Sequence, residues 1–145
     1  MMQKDNRTIA FVCTGNTCRS PMAEAIFNDM AEKNGVCVRA ESFGIATSTG
    51  LPVSENSVIG PLCRRSDLSG KASTAVADVG IEKYEKFYCM SQSHAKMLMQ
   101  FFLVQPEKIA VLGISDPYGG DIEVYRHCRD EIVNSVKEIL KAYEN

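Results

Sequence analysis

The chain has 145 residues, 16 of them Lys or Arg and 18 Asp or Glu, for a formal net charge of -2, and 45% of its residues are hydrophobic. A near-neutral balance with both signs spread along the chain excludes nonspecific attraction to nucleic acid or a membrane surface, and the hydrophobic fraction suits one domain spanning residues 1–145. No stretch is long enough to cross a bilayer, and the polar start Met1–Arg7 offers no leader-like apolar run.

The six cysteines, at positions 13, 18, 37, 63, 89 and 128, have no regular spacing. With no export signal, they read as reduced thiols of a cytoplasmic protein. No Cys-x2-Cys pair or histidine cluster suggests a metal, and no cofactor is expected.

Thr8–Val12 reads as the first strand, and Cys13-Thr14-Gly15-Asn16-Thr17-Cys18-Arg19-Ser20-Pro21 follows it directly. The residues between Cys13 and Arg19 are small or polar, and Gly15 and Asn16 tolerate positive φ, so the chain can curl until its backbone N–H groups converge on an anion. Ser20 suits a helix N-cap and Pro21 a first helical position, which brings a helix's free amides to the same point. In that setting Cys13 is a nucleophile, and the planar fork of Arg19 matches two oxygens of a phosphoryl group.

The first helix runs from Pro21 to Asn34, with Met22, Ile26 and Met30 on one face and Gly35 as its stop. Val36–Ala40 reads as a strand, Ser42–Val53 as a loop rich in Gly, Ser, Thr and Pro, and Ser54–Arg65 as a helix. Lys86–Met90 and Lys108–Leu112 read as strands on either side of a helix over Ser91–Phe102. Asp116-Pro117-Tyr118 precedes a final helix, Ile122–Tyr143, whose apolar positions recur near a 3.6 period.

Alternating strands and helices predict an α/β fold: a single-domain, three-layer arrangement with a four-stranded parallel sheet and helices on both faces. The ligand site of such a sheet lies outside the carboxyl ends of its strands, where Cys13 falls.

Val12–Ala25, reading VCTGNTCRSPMAEA, and Asp116-Pro117-Tyr118 resemble the phosphate loop and the acid motif of the low-molecular-weight protein tyrosine phosphatases, a family that includes protein arginine phosphatases. The resemblance spans nearly the whole chain. It implies metal-independent hydrolysis of a phosphorylated protein through a cysteinyl-phosphate on Cys13. Phosphate would be held by Thr14, Gly15, Asn16, Thr17, Cys18, Arg19 and Ser20, and Asp116 would be the general acid. Apart from the resemblance, Asp116 also fits a turn-forming Asp before proline.

The resemblance further implies that Ser20 donates a hydrogen bond to the thiolate and that Asn16 takes a left-handed conformation shaping the loop. Where the family usually places a His against this Asn, the chain has Lys71. Cys18 is either a small loop residue or, as the resemblance implies, a partner for a reversible disulfide with Cys13. Cys37, Cys63, Cys89 and Cys128 read as packing thiols, and His94 and His127 as structural or solvated.

By the same resemblance Thr17, Ile45, Ala46, Thr47 and Tyr118 line the substrate pocket. That pocket has fewer aromatics than many phosphotyrosine members, with Gly119 after Tyr118. Thr17 stands where tyrosine phosphatases usually carry a bulkier aliphatic and where arginine phosphatases carry Thr. Phosphotyrosine is the first expectation and phosphoarginine the second. Arsenate reduction on the same fold would need two further relay cysteines about seven residues apart, and Cys89 has no such partner. A monomer is expected.

Overall fold

The computed structural model describes residues 7–15, 19–46, 50, 73–117 and 120–143. Along the chain these form β1 (Arg7–Cys13), α1 (Arg19–Lys33), β2 (Val38–Gly44), β3 (Lys86–Cys89), α2 (Gln92–Phe102), β4 (Ile109–Val111) and α3 (Ile122–Tyr143). Single 3-10 turns at Val76–Asp78, Ile81–Lys83 and Pro106–Lys108 join them.

The four strands make one parallel sheet in the order β2-β1-β3-β4. Central β1 is buried from Ile9 to Cys13, as expected of an inner parallel strand covered on both faces. Its side chains alternate between two cores. Ile9, Phe11 and Cys13 join a cluster with Met22, Phe27, Ile132 and Val136 of α1 and α3. Ala10 and Val12 point the other way, toward Phe43, Phe87, Ala95 and Leu98, so α2 covers the opposite face.

Aromatic rings fill both layers. Phe11 lies 6.0 Å from Phe27 and 5.7 Å from Tyr88, while Tyr84 meets Phe87 edge-on at 5.6 Å. Edge-to-face pairs of this kind add roughly 0.5–1.5 kcal/mol beyond the area they bury. Tyr84 also donates its hydroxyl proton to Glu41 at 2.8 Å, so a buried ring keeps its polar end satisfied.

Most element boundaries shift by a residue or two from the sequence reading, and those of β2 and α1 bear on the site. β2 begins at Val38 and runs through Ser42, Phe43 and Gly44, residues whose composition suggested a loop. Pairing with β1 from Arg7↔Val38 to Cys13↔Gly44, together with burial of Phe43, overrides the local turn signal of Ser and Gly. α1 begins at Arg19, which places Ser20 inside the first turn rather than at its cap. The helix expected over Ser54–Arg65 lies outside the described residues.

Candidate active site

The described candidate residues gather beyond the carboxyl ends of the strands. Beyond Cys13, the first two peptides of the loop are fixed by the chain leaving β2: Ile45 N–H donates to the Cys13 carbonyl and Ala46 N–H to the Thr14 carbonyl, both at 3.0 Å. No peptide here is cis, and in a trans peptide the N–H points opposite the C=O. The amides of Thr14 and Gly15 therefore both turn away from β2, as the first donors of an anion-binding concavity would.

The Cys13 sulfur lies 2.9 Å from the Ser20 hydroxyl. Ser20 is wholly buried in the first turn of α1, where a donated O–H favours negative charge on sulfur. Thiol and hydroxyl, seven residues apart, meet because the strand ends and the helix begins on opposite sides of the same loop.

Arg19 is buried, and its guanidinium is tethered at both ends. Nη1 donates to the Ile114 carbonyl at 3.0 Å, and Nη2 lies 3.7 Å from Asp116 Oδ2. The Asp116 side chain is 58% exposed, so this is a loose pair in contact with solvent and not a buried salt bridge. The segment carrying both partners extends β4: Leu112 and Ile114 donate N–H groups to the Cys89 and Met90 carbonyls. Gly113 makes the turn between them at φ +69°. Ser115 then hydrogen-bonds Glu131 of α3 through its hydroxyl at 2.9 Å, fastening the segment to the last helix.

His94 was expected to be structural or solvated, and the structure places it against the loop. Its Nε2 lies 2.9 Å from Thr14 Oγ1, and its Nδ1 accepts the Ser91 N–H at 3.1 Å at the start of α2. Burial and the positive charge of Arg19 lower its pKa to about 4, partly opposed by Asp116, so the ring is neutral at pH 7.

Of the remaining site residues, Ile45 is half-buried and packs on the second core, whereas Ala46 is exposed beside the loop. Asn16, Thr17, Cys18, Thr47, Lys71 and Tyr118 lie outside the described residues. Burial pushes the Cys89 thiol up to about 12, which suits a packing role.

Among the described residues no cluster of His, Cys, Asp and Glu is arranged to hold a metal ion, and no helix is long and apolar enough to cross a membrane. An open cleft of about 580 Å³ lies elsewhere, between Val79, Ile81, Phe87, Phe102, Leu103 and Lys108, and contains none of the groups above.

Comparison with known proteins gives this geometry a family. The model of the family described as low molecular weight phosphotyrosine protein phosphatase matches residues 8–145. The chain belongs to that family.

Among relatives of this phosphatase family, a protein-arginine-phosphatase of Bacillus subtilis (strain 168) is 30% identical over 142 residues, 92% of this chain and 94% of its own length. A low molecular weight protein-tyrosine-phosphatase, PtpB, of Staphylococcus aureus is 30% identical over 138 residues, 90% of this chain and 95% of its own length. A crystal structure of a low molecular weight protein tyrosine phosphatase from T. tengcongensis superposes with a TM-score of 0.86 at 29% identity, covering 94% of this chain and 99% of the other.

Proposed function

We propose that this phosphatase hydrolyses phosphotyrosine on proteins, with Cys13 as nucleophile, Arg19 and the loop amides as the phosphoryl cradle, and Asp116 as general acid. One arrangement carries the reading: a buried thiol 2.9 Å from a buried hydroxyl, followed in sequence by an arginine facing a solvent-exposed carboxylate.

The Cys13 thiolate attacks phosphorus in line, forming a P–S bond as the P–O bond to the tyrosyl oxygen breaks, and Asp116 gives its proton to that leaving oxygen. Water then attacks phosphorus, losing a proton to the Asp116 carboxylate as the P–S bond breaks and releases inorganic phosphate. Arg19 and the amides of Thr14 and Gly15 hold the equatorial oxygens, where charge collects in both steps.

A second reading, phosphoarginine, is supported by Thr17 in the loop sequence and by relatives named for that activity at equal identity. The reaction differs only in the leaving atom, a guanidinium nitrogen in place of the phenolic oxygen. Arsenate reduction finds no support: Cys89 and Cys128 belong to cores on opposite faces of the sheet, and both are buried.

The test is hydrolysis of an aryl phosphate by purified protein in the presence of a chelator. Wild type and Thr17→Ile are then compared on phosphotyrosyl and phosphoarginyl peptides. Metal-dependent turnover, or turnover surviving Cys13→Ser, would overturn the thiolate mechanism. A wild-type preference for the phosphoarginyl peptide that Thr17→Ile reverses would establish the second reading.

A further inference from the structure

Resting on the phosphatase reading above, we infer that His94 is a positioning residue that pins the first loop residue after the nucleophile to the start of α2 and so holds the anion-binding amides in place. It sits 80 residues from Thr14 in sequence, yet its ring contacts the hydroxyl of the residue next to Cys13.

The direction of this hydrogen bond follows from its other end. Ser91 N–H is a backbone donor and can only donate, so Nδ1 of His94 must present a lone pair. A neutral imidazole with a bare Nδ1 carries its proton on Nε2. Nε2–H therefore donates to Thr14 Oγ1, and the start of α2 fixes both the tautomer and the ring orientation. The ring is buried, with Nδ1 engaged by Ser91 and Nε2 by Thr14, so it acts through Thr14.

Thr14 is consequently held on two sides. Its side chain is tied to α2, which follows β3, and its carbonyl accepts the Ala46 N–H from the chain leaving β2. The two tethers come from the segments flanking β1 on either side, so they fix the peptide plane that aims the Gly15 amide away from β2. Releasing one lets that plane rock, and a misaimed donor loses most where phosphoryl charge is greatest.

A neutral donor also suits the site electrostatically. Arg19 supplies the cationic charge, and Asp116 must be able to carry a proton to the leaving group. The neutral imidazole adds no charge beside either of them.

Two amide substitutions separate positioning from helix support. His94→Asn places an acceptor near the former Nδ1 and keeps the Ser91 link, but it is too short to reach Thr14. His94→Gln places a donor near the former Nε2. The measurements are kcat/KM on an aryl phosphate and the affinity for inorganic phosphate from NMR titration, which needs no turnover.

His94→Asn and Thr14→Val should each weaken both quantities about three- to tenfold, the double variant should be no worse than either single one, and His94→Gln should recover to within about threefold of wild type. Multiplying losses in the double variant, a fully active His94→Asn, or a His94→Gln no better than His94→Asn would each overturn the inference. If the histidine variants fail to fold, Thr14→Val with unchanged phosphate affinity overturns it on its own. A wild type that binds phosphate but hydrolyses no aryl phosphate would sink the phosphatase reading while the phosphate titrations still judge His94.

Discussion

The Arg19 guanidinium and the Asp116 carboxylate face each other at 3.7 Å, one buried and the other open to solvent. A clamp for the substrate's negative charge thus stands beside the group assigned to protonate its leaving atom. Asp116→Asn keeps the shape and removes the proton, so kcat on a poor leaving group should fall by about 10²- to 10⁴-fold, and by much less on an activated aryl ester. Melting temperature should hardly move, because a loose pair with one partner open to solvent contributes little to stability. Equal losses on both substrates would remove Asp116 from acid catalysis.

Ser20→Ala deletes the hydroxyl 2.9 Å from the Cys13 sulfur. Hydrogen bonds to a charged partner are worth more than neutral ones, so kcat/KM should drop about ten- to a hundredfold. Steady-state kinetics on an aryl phosphate would read this directly. A wild-type value would show that Ser20 gives the proposed nucleophile no help.

Gly113 turns the chain at φ +69° immediately before the carbonyl that holds Arg19. Among the described residues, its two chain neighbours aside, no atom lies within 4 Å of where a Cβ would sit, so the cost of Gly113→Ala is conformational, about 1–2 kcal/mol. Denaturant unfolding should show that loss, and affinity for inorganic phosphate should weaken as the Ile114 carbonyl shifts. Gly113→Asn should be milder in both, since Asn enters the left-handed region more readily. Alanine at wild-type stability would mean that the turn relaxes to negative φ without penalty.

His94 links stability to pH. Its pKa of about 4 in the folded protein lies below the ordinary 6.5, so between those values the unfolded chain binds a proton that the folded chain does not. Stability should therefore be full above pH 6.5 and decline as pH falls toward 4, by up to ~3 kcal/mol from this group. Thermal melts across that range should show the decline, and His94→Asn should flatten it. An equally steep decline in the variant would assign the protons to other groups.

Much of this site can be read from sequence because its densest part is local. Cys13, Arg19 and Ser20 lie within eight residues, and the apolar run before them and the helix after them fix where they stand in an α/β fold. The family pattern pointed to Asp116 as well, 97 residues beyond Arg19, where residue type alone left it open to being an ordinary turn Asp; the fold sets it 3.7 Å from that arginine. What stayed hidden depends on contacts between distant segments. Ser42-Phe43-Gly44 looks like loop until β1 pairs with it and Phe43 enters the second core. His94 looks like one more polar residue in a helix's first turn, because nothing near it in sequence reveals that Thr14 is its partner. The one local signal was Ser91 three residues earlier, a spacing that ties a side chain back to the helix start and leaves the far side of the ring to face elsewhere.

The hydrogen bond from Arg19 to Ile114 spans 95 positions of the chain. In a chain made from its N-terminus the arginine comes early, but the carbonyl that anchors it arrives only after the fourth strand has been made and docked. Arg19 and Ile114 are therefore joined only in the finished sheet, and the seat of the arginine is a product of the whole fold and not of the loop that carries it.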